Sequence, residues 1–559
     1  MAGRRSDRLP FAIAVILAAS AAAILPELLF GLSASDSQRY NLLWTDEFTR
    51  AFAAGSLYPR WLPGSWDGLG APTFYQYPPL FFWAAALIRL PFGSLMPPGL
   101  AASLASFVFL AVSAFTMRAW LLRFASPRVA LAGGLLYLAA PFHLYDIYAR
   151  GSLAEAAAIA ILPLLPLAVD RMALRERGGF TLLAASYALT ILAHMPTALL
   201  ASLILLPAFI LYRAREAGPG LIVHCAGAIL LGAALAAFYL IPAVALLPYT
   251  LREAWGGAWF DPANWTFWTP SRWPSMARGT LHLLFACAAL LVAIAAFAAR
   301  PDLRHTRFWA LLAVAMFVFA SGFPPALWQR PPLVQVQFPA RLIPQIELVA
   351  ITALAVARPP LRHPLILAAL LLAVAAWTPV LWLMTSRAPQ MAAAAARSER
   401  LVFADRRDAP TFLPAGVPLP MHAGGREGAD PSLVALPSRG WLARSSAGAI
   451  QAAPLGDGLA VTLDSPEPAL IVVRRFAFPR WQVVDQQGRA AALLTTRKDR
   501  LVAWRAPAGH SRFTLRPIAA PTERASLALS FGALLFLLAI AALSGPGSVS
   551  HRLPLSKRS

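Results

Sequence analysis

The chain has 559 residues, of which 58% are hydrophobic, against roughly 45–50% in an ordinary soluble domain. Only 13% are charged, and mean hydropathy is +0.60. A soluble fold with a normal surface, a disordered chain and a disulfide-stapled secreted scaffold are all excluded, because two cysteines cannot staple 559 residues. A polytopic α-helical membrane protein remains. The net charge of +22 is carried by arginine, since Lys498 and Lys557 are the only lysines. Many of the arginines sit in short clusters between apolar runs. That is the positive-inside pattern rather than a nucleic-acid groove. Cys225 and Cys287 both fall in apolar runs and read as small buried hydrophobes.

The first apolar run, Phe11–Phe30, follows Arg4, Arg5 and Arg8. Its length favours an uncleaved first helix over a signal peptide. Further runs lie near 101–122, 129–145, 153–169, 180–193, 197–212, 221–247, 279–299, 307–323, 342–357, 364–384 and 525–543. The stretch 79–92 is too short to span, contains Arg89, and is expected to lie along the interface. With the N-terminus in the cytoplasm, that reading puts six arginine clusters inside. They are Arg123/Arg128, Arg171/Arg175/Arg177, Arg213/Arg215, Arg300/Arg304/Arg307, Arg358/Arg362 and Arg552/Lys557/Arg558. Counting 79–92 as a span would put them outside, so the charge rule predicts about 12 spans. Residues 180–212 then form a hairpin turning at His194-Met195-Pro196-Thr197.

Segments 31–100, 146–152, 249–278 and 324–341 face the outside in this arrangement, and 385–524 is large enough for an extracytoplasmic domain. It is expected to open with a helix, Met391–Arg400. It continues in strands at Ala469–Phe476, Trp481–Asp485, Leu501–Arg505 and Ser511–Arg516, consistent with a β-sandwich. The predicted organisation is a transmembrane domain over 1–384, a β-rich domain over 385–524, and a last helix with a cytoplasmic tail over 525–559. No internal repeat is visible, which weighs against inverted-repeat transporter folds.

The stretch richest in candidate chemistry is WTDEFTRAFAAGSLYPRWLPGSWDGLGAPTFYQYPPLFFW, residues 44–83. Asp46 and Glu47 form an acidic pair just beyond the first span, where carboxylates need a role or a partner. Arg50 is four residues after Asp46, so a plain helical ion pair competes with function. Neighbouring helix positions diverge by about 100°, so the two acids are not expected to aim at one atom, and one of them is the working carboxylate. Asp67 reads as a turn cap. Trp255, Trp259, Trp265, Trp268 and Trp273 fit interface anchoring or stacking on sugar or isoprenoid.

The acidic pair after the first span, the Tyr58-Pro59-Arg60-Trp61 stretch and Tyr77-Pro78-Pro79-Leu80 leading into an interface helix resemble the first outer loop of the GT-C membrane glycosyltransferases. More closely, the chain resembles the bacterial membrane family named 6-pyruvoyl-tetrahydropterin synthase-related, a label that implies no pterin chemistry here. The resemblance continues in Tyr148–Glu155, Ala193-His194 and Gln337–Arg341, and in Phe478–Trp481 and Pro507–His510 of the tail.

The resemblance implies a GT-C-like fold and transfer of a sugar from a polyprenyl-phosphate donor to a cell-envelope saccharide, lipid or protein acceptor. The site would face the periplasm from the inner membrane, and nucleic acid is not an expected partner. The first-loop acid is then catalytic base or metal ligand, which transfers to Asp46 with Glu47 beside it. A carboxylate is needed to take or polarise the proton of an acceptor hydroxyl. The phosphate leaving group needs cationic donors, and arginine binds its oxygens bidentately. Arg60, Arg150 and Arg341 are the outward candidates, with Glu155 and His194 as further substrate-binding residues. Each has a plainer alternative: an Arg150–Glu155 ion pair, an interfacial His194, an Arg341 anchor, and Asp146 as a polar helix end. No outer loop carries a clean Asp-x-Asp, and superfamily members differ in using a divalent cation or basic residues, so metal use stays open. A transporter or flippase for lipid-linked saccharide and a non-enzymatic envelope assembly factor are the alternative functions.

Overall fold

The computed structural model describes residues 8–33, 35–251, 260–267, 276–360, 363–385, 400, 402–404, 406–418 and 434–543. All twelve apolar runs are helical. Among the described residues nine helices are long and apolar enough to cross a membrane, and a bent pair, Gly220–Leu235 with Ala237–Ala245, makes ten. The remaining two runs form the shorter helices Gly179–Ala193 and Arg304–Ala320, of 15 and 17 residues. Five of the twelve open on proline, at Pro98, Pro127, Pro339, Pro364 and Pro521. The first turn does not use that N–H, and the fixed φ suits a helix start.

The bent pair departs from the single run expected over 221–247. Its two halves meet at 70°. The cause is Ser530, on the last helix Pro521–Leu543. Its Oγ accepts from Phe238 N–H at 2.8 Å and donates to Ala234 C=O at 3.0 Å. A side chain thus replaces one rung of the backbone ladder, a recognised origin of helix kinks.

Arginine clusters gather at one end of the bundle. Arg123 pairs with Asp170 at 2.8 Å and with Glu176 at 2.6 Å; Arg213 reaches Asp170 at 3.1 Å, and Arg304 reaches Glu216 at 3.0 Å. The Arg358 guanidinium donates to Phe124 C=O. The loops that the charge pattern put on one side are therefore in mutual contact. The cluster Arg552/Lys557/Arg558 and the residue Arg362 lie outside the described residues, as does most of the helix expected over Met391–Arg400.

At the opposite end the first span, α1 (Arg8–Phe30), is followed by α2 (Gln38–Ala53) and the short α3 (Leu80–Arg89). The ten residues of α3 extend about 15 Å, against a hydrocarbon core of about 30 Å. Phe81, Phe82, Ala85 and Ala86 are buried while Leu87 and Leu90 are exposed, the one-sided pattern expected of 79–92.

Among the described residues the tail forms nine antiparallel strands: β1 (Ala443–Ser445), β2 (Ala449–Leu455), β3 (Gly458–Ser465), β4 (Ala469–Phe476), β5 (Trp481–Asp485), β6 (Ala490–Ala491), β7 (Leu494–Thr495), β8 (Leu501–Ala506) and β9 (Gly509–Pro517). Four, in the order β1-β4-β8-β7, make one sheet; five, in the order β2-β3-β9-β5-β6, make the other. Leu459, Val461, Val483 and Leu515 of the second sheet share one core with Ile471, Val473, Val502 and Trp504 of the first. The two sheets are therefore packed as a sandwich. That core also takes in Trp61, Trp66, Leu69, Ala71 and Tyr75 of the first loop. Trp61 meets Trp481 edge-on at 5.2 Å, and Phe476 N–H donates to Leu69 C=O at 3.0 Å. The loop following the first span is thus built into the sandwich. Asp67 ion-pairs with Arg474 and Arg439 at 2.7 and 3.0 Å, rather than serving only as a turn cap.

Candidate functional site

Asp46 and Glu47 lie on α2, and both are buried. Three arginines surround Asp46: Arg89 Nη1 donates to Oδ1 at 3.0 Å, and Arg50 Nε and Arg406 Nη2 approach Oδ2 at 3.0 and 3.1 Å. Arg50 is the expected helical partner, but its side chain is 65% exposed, and such pairs contribute little. Arg89 is the buried member of the cage and Arg406 is half-buried. The Arg89 Nε also donates to Met96 C=O at 2.9 Å, which fixes its fork.

Glu47 Oε1 takes the same Arg406 Nη2, and its Oε2 accepts Gly64 N–H at 2.8 Å. The two acids therefore converge on one atom, contrary to the expectation from helix geometry. The reason is that Arg406 enters from a distant segment, and the longer glutamate bends toward it. A Cβ at Gly64 would fall 2.7 Å from Glu47 Cδ, so any side chain there would push the carboxylate off the Gly64 N–H. Burial raises the Glu47 pKa; Arg406 and the Gly64 N–H act against that rise.

A second cluster gathers four of the sequence candidates with Asp146. Arg150 Nη1 donates to Asp146 Oδ1 at 2.5 Å and to Glu155 Oε2 at 2.9 Å; Arg341 Nε lies 3.4 Å from the same Glu155 oxygen. Asp146 and Glu155 are fully buried, and among the described residues Asp146 Oδ2 and Glu155 Oε1 have no hydrogen-bond partner. Residues 146–150 form a single π-helical turn, a distortion frequent at functional sites. His194 sits at the hairpin tip with Nδ1 2.8 Å from Thr197 Oγ1. Burial, aided by the Arg341 and Arg150 charges, lowers its pKa and keeps the ring neutral. Tyr77 is near the same four charges, and burial raises its pKa.

The two clusters are joined through α2. Asn41 Nδ2 donates to Gly151 C=O at 2.8 Å, and Ser37 N–H to Arg150 C=O at 3.1 Å. Gly151 adopts φ +64°, and a Cβ there would overlap Ser35. Asp46 follows Asn41 by five residues, about 8 Å along the helix axis. The Trp44 and Tyr77 rings, 4.5 Å apart, fill the space beside that helix.

Arg60 is not part of either cluster. Its guanidinium pairs with Glu523 at 2.9 Å and donates to Phe238 C=O at 2.7 Å. It lines a separate cavity of about 190 Å³ with Tyr58, Tyr75, Arg480 and Asp457. This first-loop arginine thus fastens the loop to the last helix. Of the five loop tryptophans only Trp265 lies among the described residues, packed on Phe338 at 5.0 Å. No three His, Cys, Asp or Glu side chains converge to hold a metal ion among the described residues.

Sequence reasoning missed Arg89, Arg406 and Asp408. Arg89 was visible as a cation inside an apolar run. Nothing in the tail singled out the other two. Asp408 is fully buried and accepts Trp44 Nε1–H at 2.6 Å, Thr73 Oγ1–H at 2.7 Å and Ser65 Oγ–H at 2.9 Å.

A bundle of apolar helices carrying an acid–arginine site and a tail sandwich at one end defines a polytopic membrane protein. Residues 74–386 match the 6-pyruvoyl-tetrahydropterin synthase related domain, a membrane-protein family, and the chain belongs to that family. No curated protein matches it. Among solved structures it is similar to ArnT from Cupriavidus metallidurans, solved bound to undecaprenyl phosphate, at 16% identity and a TM-score of 0.44, covering 71% of this chain and 76% of that one. It is also similar to the arabinofuranosyltransferase AftD from Mycobacteria, at 15% identity and a TM-score of 0.41, over 66% of this chain and 27% of that one. A third similar structure is the Archaeoglobus fulgidus oligosaccharyltransferase, at 15% identity and a TM-score of 0.35, over 67% of this chain and 53% of that one.

Proposed function

We propose that the chain transfers a glycosyl group from a polyprenyl-phosphate carrier to a cell-envelope acceptor, at the outer face of a bacterial inner membrane. The observation that carries this reading is the pairing of two acid–arginine clusters at one end of the bundle, joined through α2. One supplies the carboxylates that an acceptor hydroxyl needs. The other holds two arginines that could bind the phosphate of the departing carrier. In this reading Asp46 is the base, with Glu47 beside it, and Arg50, its exposed partner, is the group the acceptor displaces. Arg150 and Arg341 exchange Glu155 for donor phosphate, and His194 and Tyr77 line the same side. A magnesium-type cation uses one or two carboxylates together with substrate phosphate. Asp146 and Glu155 have the spare oxygens for such an ion.

A carrier for lipid-linked saccharide is favoured by one observation. Glu347 is buried within the span Pro339–Ala357, with one oxygen accepting Phe142 N–H at 3.1 Å and the other unpartnered. Intramembrane acids often mark transport paths. Transfer from a labelled polyprenyl-phosphate sugar by the purified protein separates the readings. Activity lost in Asp46→Asn and kept in Glu347→Gln supports the transferase. Lipid translocation without transfer, dependent on Glu347, supports the carrier.

A further inference from the structure

The segment that leads from the last helix before the tail to the sandwich does more than connect them. Arg406 C=O accepts Trp66 N–H at 2.8 Å, and Arg407 C=O accepts Arg39 Nε–H at 3.2 Å. Asp408 binds Trp44 of α2 and Ser65 and Thr73 of the first loop. Phe412 closes the row against the Trp44 and Tyr77 rings at 5.8 and 6.0 Å. Within seven residues the tail therefore touches α2, the Gly64 turn and the aromatic group between the two clusters.

This strap meets the loop where both are conformationally unusual. Arg406, Trp66 and Asp67 have φ of +47°, +55° and +57°. Residues with a Cβ adopt that region only where the surroundings enforce it, and such residues cluster at functional sites. The left-handed turn at Arg406 brings its C=O to Trp66 while its guanidinium reaches back between Asp46 and Glu47. An extended residue could not direct the two groups in this way without moving the strap.

We infer that residues 406–408 form a positioning strap: Arg406 clamps the Asp46–Glu47 pair, and Asp408 anchors the strap to α2 and the first loop, so that docking of the tail completes the site. Arg406 acts through the two carboxylates and is a positioning residue. The functional part of this inference rests on the transferase reading; the clamp itself does not. Removing the clamp takes away the cation shared by two buried acids. Arg89 remains on Asp46, facing its other oxygen, while Glu47 keeps only the Gly64 N–H. Glu47 is therefore the group that should respond.

The test is the pH dependence of carbodiimide labelling of Glu47, which requires the protonated acid, in full-length protein in lipid nanodiscs. Peptide mass spectrometry resolves Glu47 from Asp46. Arg406→Gln is expected to move the Glu47 midpoint upward by about 1 unit or more, since a cation at this distance favours the carboxylate. Arg406→Lys keeps the charge without the fork, so the midpoint should stay near the parent's. Asp408→Asn should move it in the same direction as Arg406→Gln but less, because the strap loosens while Arg406 remains. An unmoved midpoint in Arg406→Gln, in protein that melts at the parent's temperature, overturns the clamp. If Arg406→Gln fails to fold, a parent-like midpoint in Asp408→Asn overturns it instead. Transfer activity is measured separately on the same samples. Inactive parent protein with a shifted Arg406→Gln midpoint removes the transferase reading and leaves the clamp. Active parent protein with an unshifted midpoint does the reverse.

Discussion

Asp46 lies inside a cage of guanidinium groups rather than on an open rim, and this changes what its substitution should do. Asp46→Asn keeps the size and one acceptor oxygen but leaves Arg89 buried without its charge partner. The expected result is a stability loss of about 1–3 kcal/mol, together with a fall in transfer of about 10²–10⁴-fold. Activity is therefore to be compared at matched amounts of folded protein, and full activity would remove Asp46 as the base. Gly64→Ala tests the neighbouring contact. The added methyl occupies the place of the Glu47 carboxylate, so Glu47 must turn away from the Gly64 N–H. A loss of about 1–3 kcal/mol is expected for such overpacking, with a melting temperature in detergent as the measurement. The pH dependence follows from burial. The pKa of Glu47 and that of Asp408 are raised by burial in the folded chain, so the native state binds protons more tightly than the unfolded one. The contribution of these two groups to stability is then highest below the ordinary carboxylate range. It falls as pH rises through that range toward the raised values, and is level above them. Glu47→Gln should flatten part of this slope, and a melting-temperature series against pH would reveal a parent-like slope if burial of Glu47 were unimportant.

At the scale of elements, one helix owes its shape to a partner distant in sequence and another to its immediate neighbours. The break between Gly220–Leu235 and Ala237–Ala245 is held by Ser530. Ser530→Ala leaves the Phe238 N–H and Ala234 C=O without that bridge, and a loss of about 1–3 kcal/mol is expected for a buried unsatisfied pair. Ser530→Thr, which restores the hydroxyl, should recover part of the thermal stability. The other helix, α3, is short because Pro79 precedes it and a turn at residues 90–95 follows. Its Arg89 ends the apolar face and turns back to Asp46 rather than to solvent. A cation in a short apolar helix is thus committed to the first-loop acid.

For the molecule as a whole, the separation of its two ends is the property that function needs. Arginine-rich loops meet one another at one end, and the acid–arginine clusters, hairpin tip and sandwich occupy the other. Periplasmic reporter fusions should be active at residue 450 and silent at residue 175. A silent fusion at 450 would place the sandwich in the cytoplasm and overturn the outer site. The sandwich shares its core with the first loop, so deleting it would expose Trp61 and Trp66 and disorganise the loop. Point changes at the strap are the gentler probe of what the tail does.

Much of this architecture was legible in the chain. Apolar runs of membrane length have few stable solutions in lipid, because every backbone group must be paired within the segment. All twelve runs are accordingly helical, and the arginine clusters between them gather together. Period-two alternation marked β4, β5, β8 and β9 to within two residues, since a sandwich buries one face of each strand. The short strands β1, β6 and β7 went unread, as did β2 and β3, although Leu459, Val461 and Leu463 of β3 alternate with Ala460, Thr462 and Asp464. Position after the first span singled out Asp46 and Glu47, and the family resemblance added Arg150, Glu155, His194 and Arg341. Neither could tell that Arg60 would leave the group for Glu523, or that Arg406 would join it from 360 residues away. Ion pairs of this kind depend on which loops the tertiary structure brings together, and a guanidinium's partner is decided by distance in space. The sequence by itself determined the class of molecule and most of its elements. Only the tertiary structure decided which charges share a site, because burial forces each of them to find a partner wherever the fold supplies one.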